Sequence, residues 1–128
     1  MTLYIQTNNA PEIRPGQFMP NQTIKSYTDF AFAIPDTIFM DPDGESLVLN
    51  IFRADGTDVP SWIKFTPENR LVYGTQNSSD VMIQLKIVAT DPKSSTVSTI
   101  FTVFITKNKP PLAVEQIGEI NVKMFLYF

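Results

Sequence analysis

Cysteine and histidine are both missing from this 128-residue chain. The first absence removes disulfides, thiolate metal sites and cysteine nucleophiles; the second removes the commonest metal ligand and the commonest general base. Lack of cysteine leaves the compartment open, because repeats outside the cell often have cores large enough to do without staples. A basic surplus is missing too. Ten Lys and Arg against 13 Asp and Glu give a formal charge of −3, which offers no electrostatic footing for a nucleic-acid partner. No window approaches the ~18 apolar residues of a membrane span, so this segment is expected not to insert into a bilayer. The opening MTLYIQTNNAPE has neither the basic start nor the apolar run of a signal peptide, and a secreted protein containing it would hold it as a piece of something longer.

What is present is apolar content of 43%, enough for a core in one domain of this length, and its period is two. In VMIQLKIVAT, Val81, Ile83, Leu85, Ile87 and Ala89 fall on one face while Gln84, Lys86 and Thr90 fall on the other, the pattern of a half-buried strand. The run VSTIFTVFIT places Phe101, Val103 and Ile105 together in the same way, and Asp91-Pro92-Lys93-Ser94-Ser95 between the two runs predicts a hairpin. Phe30, Phe32 and Ile34 alternate, as do Leu47, Leu49 and Ile51, and shorter strands are expected over 62–65 and 71–73. Turn chemistry separates them, at Ala54-Asp55-Gly56, Thr66-Pro67-Glu68-Asn69 and Gly74-Thr75-Gln76-Asn77. Nearly all of the ten prolines sit in turns or linkers, where they do not interrupt a ladder. The reading is an all-β, antiparallel sandwich of about seven strands with no helix. The single Trp62 is expected in its core, and Ile100 and Phe104 fall opposite the core-facing side of their strand.

Other patterns bear on organisation. Asn9-Ala10-Pro11 is echoed by Lys109-Pro110-Pro111, and the spacing of Ile24, Phe30 and Phe32 is echoed by Ile120, Leu126 and Phe128, the signature of a repeat. The expected organisation is a linker over 1–10, one complete repeat over 11–108, and over 109–128 a linker with the truncated start of a following repeat. Such an ending also allows a strand that pairs with a neighbouring chain. Asn21-Gln22-Thr23 and Asn77-Ser78-Ser79 fit the N-glycosylation acceptor pattern, which makes Asn21 and Asn77 candidate glycan sites in a chain that enters a secretory pathway.

The motifs in order are FMDPDGESL from Phe39, Asp55-Gly56, Val59-Pro60-Ser61-Trp62-Ile63-Lys64-Phe65, Leu71-Val72-Tyr73-Gly74-Thr75, Ile87-Val88-Ala89-Thr90-Asp91 and Phe101-Thr102-Val103-Phe104-Ile105. Together they resemble the cadherin-like repeats of the dystroglycan type, relatives of the Ig-like repeats of surface proteins. The resemblance covers most of the chain and implies a Greek-key sandwich used in tandem arrays at cell surfaces or in extracellular matrix.

It also implies that Asn8 and Asn9, the 41–43 loop and Asp91 lie at one end of the domain, and that Asp41, Asp43, Asp91 and Asn9 are candidate ligands for Ca²⁺, a cation that takes six to eight oxygens. Two departures count against a metal. The linker offers asparagines where cadherin linkers carry several acids, and the linker at 108–111 holds no carboxylate. An EF-hand is excluded because Gly44 stands fourth in the loop and Phe52 twelfth. Pro-Asp-Gly is good turn chemistry without any cation, so metal site and plain turn both stay open.

The function expected is a noncatalytic extracellular spacer or adhesion module of a larger surface, matrix or filament protein. Its partners would be neighbouring repeats, copies of itself or other surface or matrix proteins. A filament subunit assembling by strand donation is the assembly-class alternative. A carbohydrate-binding accessory module would want several exposed aromatics on one face, and Tyr4, Tyr27, Tyr73 and Tyr127 are scattered in sequence. A paired-carboxylate hydrolase using Asp41 or Asp43 with Asp91 is the weakest option, since turn-located acids on a small sandwich suggest no cleft.

Overall fold

The computed structural model describes residues 9–107. Nine strand segments follow in order: β1 (Glu12–Ile13), β2 (Gln22–Lys25), β3 (Asp29–Ala33), β4 (Phe39–Met40), β5 (Val48–Arg53), β6 (Ile63–Thr66), β7 (Leu71–Thr75), β8 (Met82–Thr90) and β9 (Thr96–Thr106). They form a four-stranded sheet in the order β2-β9-β8-β5, a three-stranded sheet in the order β3-β7-β6, and a two-stranded β1-β4 ribbon. The chain crosses between the two larger sheets after β2, again after β3 by way of β4, and after β5 and β7, as in a Greek-key β-sandwich. Among the described residues there is no helix, and so none long and apolar enough to cross a membrane.

Alternation along the two longest strands builds one wall of the core. Ile83, Leu85, Ile87 and Ala89 of β8 and Phe101, Val103 and Ile105 of β9 are all buried, with Leu49 and Ile51 beside them on β5. The other sheet supplies Val72 and Ile63, and Phe30 and Phe32 pack onto the cluster. Phe32 meets Phe101 edge-on at 5.9 Å and Phe30 meets Trp62 edge-on at 5.8 Å, the arrangement that aromatic quadrupoles favour. Trp62 is in the core as expected. Ile100 and Phe104 face outward, 53% and 43% exposed, with Phe104 beside the equally outward Met82.

Two details depart from the sequence reading. Val81 is exposed rather than core-facing, because β8 begins at Met82 and Val81 lies on the bend before it, tied to the sheet only where its carbonyl accepts the Ile105 N–H. The sheets are not wholly antiparallel: β2 runs parallel to β9, with Ile24 opposite Ile105. This strand and the two-residue β1 and β4 were too short to show a period. The terminal segment read as a second repeat, with the Ile120, Leu126 and Phe128 echo, lies outside the described residues, as do Asn8, Tyr4 and Tyr127.

Candidate functional site

The loop between β4 and β5 is a turn first. Gly44, at φ 72°, donates its N–H to the Asp41 carbonyl at 2.9 Å, a left-handed conformation that glycine adopts at no steric cost. The Asp41 side chain closes the turn from inside, its Oδ1 accepting the Asp43 N–H at 3.2 Å and its Oδ2 the Glu45 N–H at 3.1 Å. This local bonding is what aspartate offers a turn. It also has a consequence: alternate residues of the loop bring their acids together. Oxygens of Asp41, Asp43 and Glu45 lie within 4.8 Å of one another.

Asp43 faces the incoming chain. Asn9 donates its backbone N–H to Oδ2 and its side-chain amide to Oδ1, both at 2.9 Å. These two bonds favour the ionised form and hold the Asp43 carboxyl below its ordinary value, with a smaller contribution from Lys93. Glu45 behaves oppositely. Its Oε1 is buried without a hydrogen-bond partner, and its Oε2 stands 4.0 Å from the Lys93 ammonium. Loss of water raises its pKa; Lys93 opposes that, and the negative charges of Asp41, Asp91 and Asp43 add to it.

Asp91 sits nearby in the β8–β9 hairpin and is 4% exposed. Its Oδ1 accepts the N–H groups of Lys93 and Ser95, both at 2.9 Å, while Ser94 takes φ 71°. Its placement is thus that of a turn-former whose charge reaches Glu45, outside the trio within 4.8 Å. Asn9, Asp41, Asp43 and Asp91 are therefore gathered at one end of the sandwich. Two participants went unread in the sequence: Glu45, visible as the third acid at every second position of Asp41-Pro42-Asp43-Gly44-Glu45, and Lys93, two residues beyond Asp91.

The three clustered carboxylates offer oxygen ligands, which suit a hard cation. The unpartnered Glu45 oxygen is the feature that a cation would satisfy and that the turn alone leaves unexplained. Lys93 supplies part of the positive charge the cluster requires.

The two sequon asparagines are both exposed. Asn21 precedes β2, and its Oδ1 accepts the Thr102 N–H at 2.9 Å. Asn77 follows β7, next to Gln76, whose fully buried side chain accepts the Tyr27 N–H and donates to Ser78.

A family profile described as Putative Ig domain matches residues 14–106. Among solved structures, human Protocadherin-24 EC1-2 matches with a TM-score of 0.53 and 15% identity, over 77% of this chain and 44% of that one. Drosophila N-cadherin EC1-4 matches with a TM-score of 0.56 and 13% identity, over 77% and 25%. The first Ig-like domain of human CD48 antigen matches with a TM-score of 0.52 and 8% identity, over 87% and 100%. At such identities the likeness is one of fold. This chain spans less than half the length of either cadherin fragment. A sequence comparison with curated proteins gives no significant match.

Proposed function

The chain belongs to the Putative Ig domain family, and from that premise we propose that it is a noncatalytic extracellular repeat, one link of a tandem array in a larger surface, matrix or filament protein, serving as spacer or adhesion module. The observation that carries this reading is where the chain enters and leaves. Asn9 is fastened to Asp43 at the end holding the acidic loop and the β8–β9 turn. β9 then runs 11 residues away from that turn, so the chain exits about 35 Å from where it entered. Entry and exit at opposite ends are what a linear array requires; a domain inserted in a loop would have them together.

At the entry end Asp41, Asp43 and Glu45 would hold a Ca²⁺ ion, which would neutralise the cluster and tie the incoming linker to the domain. The donor chemistry and the unpartnered Glu45 oxygen support this. The array itself is tested by joining two copies of the chain through its own linker and measuring small-angle X-ray scattering. An extended particle of roughly twice the single-repeat length is expected, and a compact side-by-side pair refutes the reading. Calcium is tested on the single chain by thermal unfolding with millimolar Ca²⁺ and with a chelator, where a cation bound only by the folded state raises the midpoint. No shift in either the single or the joined chain removes the metal and leaves the array standing.

A further inference from the structure

A second feature lies on the three-stranded sheet, around its outward-facing Tyr73. Tyr73 occupies the central strand β7, with Ala31 of β3 on one side and Lys64 of β6 on the other. Alanine is too short to cover a ring, and Tyr73 is 39% exposed. An open groove of about 580 Å³ is lined by Tyr73 together with Trp62, Phe30 and Gly74, within the size range of small-molecule sites.

The groove's rim is polar and mixed in character. The Thr75 hydroxyl donates to Asp29 Oδ1 at 2.5 Å, which fixes that carboxylate and leaves its second oxygen to accept. Lys64 Nζ donates to the Ser61 carbonyl at 3.1 Å, which positions the ammonium and leaves two further N–H donors. Asn77 contributes an amide that can do both.

We propose that this groove binds a saccharide, its C–H face stacked on Tyr73 and its hydroxyls bonded to Asp29 and Lys64, with Asn77 either bonding a free sugar or carrying an attached one. An aromatic platform ringed by donors and acceptors together matches a molecule with one apolar face and hydroxyls that do both; a purely anionic or cationic ligand would leave half of the rim unused. The sugar has two conceivable sources. One is a free oligosaccharide. The other is a glycan on Asn77 of the same chain, since Asn77 lies on the rim and heads the Asn77-Ser78-Ser79 acceptor.

The test uses isotope-labelled full chain, made without glycosylation, titrated with N,N′-diacetylchitobiose and with cellobiose up to about 20 mM, a range that detects millimolar dissociation constants. Saturable shifts confined to the amides of Asp29, Lys64, Tyr73 and Asn77 are expected. They should weaken at least about tenfold in Tyr73→Ala and persist in Tyr73→Phe, with both variants folded by circular dichroism. The chain secreted from a eukaryotic host distinguishes the sources. If the Asn77 glycan is the occupant, the same amides are already displaced, further disaccharide changes nothing, and Tyr73→Ala reverses the displacement. If the occupant is a free saccharide, the glycosylated chain still responds to added disaccharide. Absence of any Tyr73-dependent shift, from either disaccharide and from the attached glycan, overturns the proposal.

Discussion

Gly74 is the position at which one methyl group should do the most damage. It lies opposite Ile63 in the β6–β7 ladder with φ 156°, and a Cβ built there would stand 1.9 Å from the carbonyl oxygen of Trp62 and 3.0 Å from its carbonyl carbon. Both neighbours are backbone, so no rotamer relieves the overlap. Reaching ordinary contact near 3.4 Å requires β6 to retreat by about 1.5 Å, enough to break the hydrogen bonds on either side of the pair. Two lost bonds at about 1 kcal/mol each, with about 1–3 kcal/mol of packing strain, give about 3–5 kcal/mol for Gly74→Ala. In a domain of this size that lowers the melting temperature by roughly 15 °C or more.

The assay is already in the molecule. Trp62 is the only tryptophan and is 7% exposed, so its emission reports both the melting curve and any native-state displacement of β6. Gly74→Ala should shift that emission to the red before unfolding begins. A variant within about 1 kcal/mol of the parent, with unchanged emission, would show that β6 and β7 do not approach as described and would refute the argument.

Adjacent residues of β9 should respond very differently to truncation. Phe101→Ala, at 2% exposure and against Phe32, should cost about 3–5 kcal/mol in denaturant unfolding, while Ile100→Ala, 53% exposed, should cost about 0.5 kcal/mol or less. Asp91→Ala removes the acceptor for two hairpin N–H groups and should destabilise by about 1–3 kcal/mol, with Asp91→Asn recovering part of the loss because it keeps an oxygen. Glu45 gives a pH signature. Its carboxyl is raised above the ordinary 4.5, chiefly by burial, so the folded state holds the proton more tightly than the unfolded chain, and ionisation costs stability that reaches full size only above the raised value. Glu45→Gln should therefore melt higher than the parent at pH 7 without calcium, and the difference should vanish below the ordinary value. A variant that melts lower at pH 7 would contradict the burial of that oxygen.

Period-two alternation alone determined the strands that make the core. Side chains of an extended chain point alternately to opposite faces, so the inward sets of β8 and β9, apart from Val81 at the strand's edge, were readable from local order, while the burial of Trp62 followed from the packing habit of a large aromatic. The same physics explains what was not readable. A two- to four-residue strand such as β1, β2 or β4 shows too few alternations, and whether β2 pairs parallel or antiparallel depends on a partner about 80 residues away. Asp41 as a turn-former was legible, because its bonds are to its own near neighbours. Only the tertiary structure decided that Asn9 clamps Asp43, that Glu45 loses water and that Lys93 stands beside it, since each depends on loops meeting across the sandwich. The groove lined by Tyr73 was likewise invisible in one dimension. Tyr73, Asp29, Lys64 and Asn77 come from four places in the chain, and sheet register and the loop after β7 bring them to one rim.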